Sequence, residues 1–141
     1  MADTKNQSSD ILIHVDLDAQ HVPENIHWKA TQNAQEAIAK GFFLSLWDKQ
    51  EKNTLSLNLW TKDMNQDEMK HFFYQSLVSM VESFERAVPT ETEVIRDLYA
   101  TCNYLAEKLG ILSATEIEEM IQKAKGQSQL GAQDVRLKDL I

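Results

Sequence analysis

The order of apolar and polar positions changes character once along the chain, near residue 65. Before it, apolar residues recur at every second position; after it, they recur at every third or fourth. In "ILIHVDLD", Ile11, Ile13, Val15 and Leu17 share one face, and Leu12, His14, Asp16 and Asp18 share the other. That alternation predicts a half-buried strand over 11–18. Pro23 predicts a turn, and "NIHWKA" a short second strand with Ile26, Trp28 and Ala30 on one side. "TQNAQEAIAK" has no clear period and reads as a loop or a single helical turn. "GFFLSLW" and "TLSLNLW" alternate cleanly and are joined by the polar "DKQEKN", which predicts a hairpin. Leu55, Leu57 and Leu59 of the last strand would face the core.

Beyond residue 65 the helical period takes over. Met69, Phe73, Leu77, Met80, Phe84 and Val88 form one stripe, and Pro89 ends it. Val94, Ile95, Leu98, Cys102, Leu105, Ala106 and Leu109 form a second, closed by Gly110 as a C-terminal cap. Ile117, Met120, Ile121 and Ala124 mark a shorter third helix that stops near Gly126. Each helix start carries a polar residue three positions before a glutamate: Asn65 with Glu68, Thr90 with Glu93, Ser113 with Glu116. This is the spacing of a capping box, in which each partner satisfies an otherwise unbonded N–H of the other. Apolar pairs (Met64 with Met69, Pro89 with Val94, Leu112 with Ile117) frame the three starts as hydrophobic staples.

The expected architecture is therefore α+β. A four-stranded antiparallel sheet, order 1-2-3-4, carries two or three C-terminal helices packed on one face. The expected organisation is a flexible segment over 1–9, one domain over 10–112, a short extra helix over 113–126 and a flexible or docking tail over 127–141. The tail ends in "VRLKDLI", whose four apolar residues suit docking, while its glycine and three glutamines suit a loose chain.

Composition narrows the function classes. A net charge of -8 argues against nucleic acid, which needs clustered Lys and Arg, and against an anionic membrane surface. No apolar run is long enough for a membrane span, and "MADTKNQSSD" does not read as a secretion signal. The single cysteine has no internal partner for a disulfide, which suits a reducing, cytoplasmic setting. Only Gly41 and Gly110 fall in the expected folded part, far apart, so the glycine clusters of phosphate-binding loops are missing and no cofactor is expected. Cys102 lies on an apolar helix stripe, where the thiol acts as a small hydrophobe. His14 and His27 lie near Asp16 and Asp18 on polar strand faces, and Glu68 and His71 stand three apart on a helix. The second such pair and further glutamates that a di-metal centre needs are missing, so no metal site is expected. No two carboxylates are fixed around a pocket, so no catalytic residue is expected.

One surface feature is left. If the helices cover the leucine face of the hairpin, Phe43, Trp47 and Trp60 look outward, with Lys62 and Asp63 beside Trp60. One hairpin register sets Phe43 opposite Trp60; the other sets Trp60 opposite Gly41. These five residues form the candidate partner surface, for a second protein or a second copy of the chain. The competing reading is that another part of the chain folds over the aromatics.

"LDxxxVPxxIxW", "LSxWD" and "LWTKDMxxDEMxxFF", as they stand between residues 17 and 73, together with "NYLAEKLGI", resemble the gliding-motility protein C family (GldC) of Bacteroidetes bacteria. The resemblance runs from about residue 11 to residue 110. It implies a small, cytoplasmic, non-enzymatic accessory protein that works with a gliding or cell-envelope component. It transfers no catalytic residue, because the family has none established. An acidic, chaperone-like protein that holds a client chain is the alternative. A small-ligand binder or an enzyme stands third.

Overall fold

The computed structural model describes residues 7–32 and 34–129, with side chains to 126. The chain divides into two compact units, Met1–Asn65 and Gln66–Ile141. Among the described residues, the strands lie in the first and the helices in the second.

The first unit has five strands, one more than the alternation predicts: β1 (Ile11–Leu17), β2 (Pro23–Ala30), β3 (Gln35–Ala39), β4 (Gly41–Trp47) and β5 (Thr54–Trp60). They form two sheets, β1-β2-β3 and β4-β5, both antiparallel. The expected single four-stranded sheet is thus corrected to three strands plus two. The missed strand is the stretch with no clear period. Gln35 and Glu36 are poor strand formers, and Ile38 is its only large apolar residue. Its strand geometry comes from pairing with β2, with Ile26 opposite Ala39 and Trp28 opposite Ala37.

The β1–β2 register sets Ile13 against Trp28 and Val15 against Ile26. This is the apolar face read from the alternation, and Ile26 on it is fully buried. Towards the strand ends the face opens: Ile11 is 75% exposed. Pro23 is not outside the strand but its first residue, where its missing N–H is harmless.

The β1–β2 and β4–β5 turns are each built round an aspartate. Asp18 accepts the N–H groups of Gln20 (2.8 Å) and Val22 (3.0 Å) on one oxygen. Asp48 accepts those of Gln50 (2.9 Å) and Glu51 (2.7 Å) in the same way. Short acidic side chains that bond their own backbone a few residues on stabilise such turns. His21 and Lys52 then take positive φ values of 62° and 51°.

The second unit has α1 (Gln66–Ala87), α2 (Thr92–Lys108) and α3 (Ala114–Gln129). Its core is Tyr74, Val78, Val81, Cys102, Ala106 and Ile117, with Leu77, Leu98, Tyr99, Ile111 and Leu112 packed against it. The α2 and α3 stripes hold except at Val94 and Ile121, which are exposed; the α1 stripe is shifted. Tyr74, Val78 and Val81 point into the core, whereas Phe73 and Met80 of the expected stripe are exposed. Two apolar rows lie side by side on this helix, and period alone does not choose between them.

Helix ends divide in the same manner. Ser113 and Glu116 form the reciprocal capping box: the Ser113 N–H donates to the Glu116 carboxylate (2.7 Å), and the Glu116 N–H to the Ser113 hydroxyl (3.2 Å). The Ser113 N–H, and after it the Ser113 hydroxyl, hold the Glu116 carboxyl below its usual range. Helix α1 begins directly after Asn65, as the spacing requires. The α2 start is corrected: Glu91 occupies the N-cap position and makes no side-chain cap bond, so Thr90 does not cap this helix. Gly110 takes φ 70° after the last turn of α2. Gly110 N–H donates to Glu107 O (3.0 Å) and Ile111 N–H to Ala106 O (2.8 Å), the paired bonds of a Schellman motif. Helix α3 runs on through Gly126 to Gln129, beyond the expected stop. The rest of the expected tail lies outside the described residues.

Candidate partner surface

The β4–β5 ladder selects the register with Gly41 opposite Trp60, followed by Phe43 opposite Asn58, Ser45 opposite Ser56 and Trp47 opposite Thr54. These residues share one face, because side chains two apart point the same way. Phe43 is diagonal to Trp60, within reach of a large ring. Trp47 stands at the turn end, six residues along the strand from Gly41, or about 20 Å. The aromatic face is therefore two separate anchor points, not one patch. Between them lie Asn58 and the hydrogen-bonded hydroxyls of Ser45 and Ser56 (3.2 Å). Trp47 is 68% exposed and Trp60 52%.

The opposite face pairs Phe42 with Leu59, Leu44 with Leu57 and Leu46 with Leu55. On this face Leu46, Leu55 and Leu57 each keep more than half of their surface exposed, whereas Phe42, Leu44 and Leu59 are half-buried. The well-buried apolar core of the helical unit is made of helical residues alone. Both faces of the hairpin thus carry exposed large apolar side chains.

Lys62 and Asp63, next to Trp60, have intramolecular partners. Lys62 Nζ lies 3.1 Å from Glu24 and 3.3 Å from Asp18, and its N–H donates to Pro23 O (3.1 Å). Hydrogen bonds to these two carboxylates, Glu24 first, hold the ammonium above its usual range. The Asp18 carboxyl is lowered, chiefly by the Val22 and Gln20 N–H groups and then by Lys62. Thr61 is almost wholly buried. Its hydroxyl donates to the Asp63 carboxylate, with Lys40 O within reach at 3.2 Å, and its N–H donates to Lys40 O (2.7 Å). That hydroxyl, helped by the Lys40 charge, keeps the Asp63 carboxyl low. "TKD" therefore ties the end of β5 to the β1–β2 turn and to the joint between β3 and β4, and so fixes the strand end that presents Trp60. Sequence reading missed Thr61, Asp18, Glu24 and Lys40 in this role. The only local signal was an aspartate directly after an alternating run.

His14 and His27 are cross-strand partners whose Nε2 atoms lie 3.0 and 3.6 Å from the Asp16 carboxylate, all three well exposed. Among the described residues, no group of three or more His, Cys, Asp or Glu side chains is placed to hold a metal ion. Cys102 is free and fully buried, and burial raises its thiol pKa, away from the nucleophilic thiolate. No helix among the described residues is long and apolar enough to cross a membrane.

The class defined by these observations is a small α+β protein with exposed large apolar side chains on its β4–β5 hairpin. A family model described as "Gliding motility-associated protein GldC-like" matches residues 23–111, well over half of the 141 residues. The chain belongs to this GldC-like family. The match begins at Pro23, the first residue of β2, and ends at Ile111, just past the glycine that closes α2. No curated protein and no solved structure is a match.

Proposed function

We propose that the chain is a non-enzymatic, cytoplasmic accessory protein that works by contact with another protein of the gliding or cell-envelope machinery. Family membership supports the setting. The observation that carries the contact reading is the placing of two exposed tryptophans at opposite ends of one hairpin face. Tryptophan buries much surface at little conformational cost and is enriched where binding energy concentrates. Anchors about 20 Å apart suit a partner segment laid along the hairpin, with Phe43 adding to the Trp60 end. Lys62 and Asp63 contribute by fixing that end.

The test is a double substitution, Trp47→Ser with Trp60→Ser, followed by co-purification from the native organism and mass spectrometry. A folded double variant should lose the envelope or gliding component that the native chain brings down. Equal recovery of that component would remove the aromatic face from the proposal. The chaperone-like alternative draws on the second, leucine face. It requires capture of extended client segments, and a chain that ignores such peptides would defeat it.

A further inference from the structure

The outer edge of β5 has a pattern that points to its own copy. In an antiparallel ladder, residues alternate between those bonded to the neighbouring strand and those whose N–H and C=O turn away from it. Bonds at both ends of the hairpin fix the phase. Thr61 N–H donates to Lys40 O (2.7 Å), and Asp48 N–H donates to Asn53 O (2.8 Å). Counting inward from either end, Leu55, Leu57 and Leu59 bond to β4. Thr54, Ser56, Asn58 and Trp60 direct their backbone groups away from it. Among the described residues, β5 has β4 as its one strand neighbour.

Such edges are normally protected by charge, proline, a bulge or short length. "TLSLNLW" has no charged residue and no proline, its pairing with β4 is continuous over seven residues, and six of the seven are exposed. The strand also reads nearly the same in both directions: leucine at 55, 57 and 59, with polar or amphipathic residues between.

We propose that a second copy of the chain pairs its β5 with this edge, antiparallel, about a twofold axis through Leu57. The result is a continuous four-stranded sheet, β4-β5-β5-β4. This register sets Leu57 on Leu57, Leu55 on Leu59, Ser56 on Asn58 and Thr54 on Trp60. It engages all four outward-facing residues of each strand. A shift of the axis to Ser56 or Asn58 leaves one of the four unpaired on each copy. A twofold contact must be self-complementary, and here leucine meets leucine, Ser56 meets Asn58, and Thr54 meets the amphipathic Trp60. Because the strand is uncharged, two chains of net charge -8 meet there without like charges inside the paired segment. Just beyond it, Lys62 arrives opposite the second copy's Lys52, and Lys62 is already paired with Asp18 and Glu24. A hairpin of two strands gains from such an extension, since sheets become robust at three strands or more. The inference is independent of the aromatic-face reading.

The test uses the full chain in sedimentation velocity, with three substituted forms. Leu57→Lys and Leu57→Glu each place like charges across the axis, where paired residues stand only about 4.5 Å apart at Cα. Leu57 is 51% exposed, so the fold of one chain should tolerate either. The native chain should sediment as a dimer. Each variant alone should weaken dimerisation at least ~100-fold, and an equal mixture of the two should restore it as a Lys–Glu heterodimer. If circular dichroism shows a Leu57 variant misfolded, Asn58→Pro takes its place. It removes an outward N–H while leaving the β4 ladder bonded, and should give a monomer. A native chain that stays monomeric overturns the proposal, even if it binds extended peptides, as does a dimer that survives these substitutions.

Discussion

Replacing Tyr74 by phenylalanine probes the helical core at a single atom. Tyr74 is fully buried at the centre of that core, yet its hydroxyl has no hydrogen-bond partner. Burial also raises the phenol pKa, so the group is a neutral hydroxyl stripped of water. An unsatisfied buried polar group costs about 1–3 kcal/mol. Removing its oxygen leaves a void smaller than a methyl group, with a penalty below about 1 kcal/mol. The ring and its packing against the core remain. The balance favours Tyr74→Phe by about 0–2 kcal/mol, the reverse of the usual sign for a substitution in a core. In urea, monitored by helical circular dichroism, the midpoint should rise with an unchanged slope. On heating, a gain of 1 kcal/mol would raise the melting temperature by about 4–8 °C for a unit of this size. A loss of 1 kcal/mol or more would refute the reasoning, because it would mean that the hydroxyl is bonded in solution.

Two further outcomes follow from local geometry. Ser113→Ala deletes the acceptor for the Glu116 N–H and should destabilise the start of α3 by about 1 kcal/mol, read as faster amide exchange at Glu116, whereas Ser113→Thr should keep most of the protection. Tyr99 is held neutral by burial and by the Glu85 carboxylate to which its hydroxyl donates, so its pKa is raised well above 10. Its stabilising contribution is complete below the unfolded value near 10 and is lost as pH rises through the folded value. Near-ultraviolet titration of Tyr99→Phe against the native chain should show the lost phenolate to be one that ionises late, and ionisation at the ordinary pH would contradict the Glu85 bond.

Much of this molecule is determined locally, and those parts were legible. The hairpin strands begin and end where the alternation does, because a period of two with β-favouring residues admits one local geometry. The Ser113–Glu116 box and the Gly110 cap were readable because each closes bonds within a few residues of chain. Membership of the GldC-like family rests on sequence in the same way.

Tertiary structure decided the features that depend on distant residues. Strand β3 exists because β2 offers it a ladder, not because "QEAIA" favours a strand. Tyr74 is core and Phe73 surface because one of two adjacent apolar rows on α1 was chosen by the residues of α2 and α3 packed there. Leu57 is exposed although its strand alternates like any half-buried one: alternation separates two faces, and only assembly says which of them is covered. Lys62 and Asp63 looked like an open charged pair beside Trp60, but their partners, Asp18, Glu24 and Lys40, lie more than twenty residues away in sequence. Sequence alone determined the elements whose hydrogen bonds close nearby, whereas the choice of face and of ionic partner belongs to contacts that form only when remote segments meet.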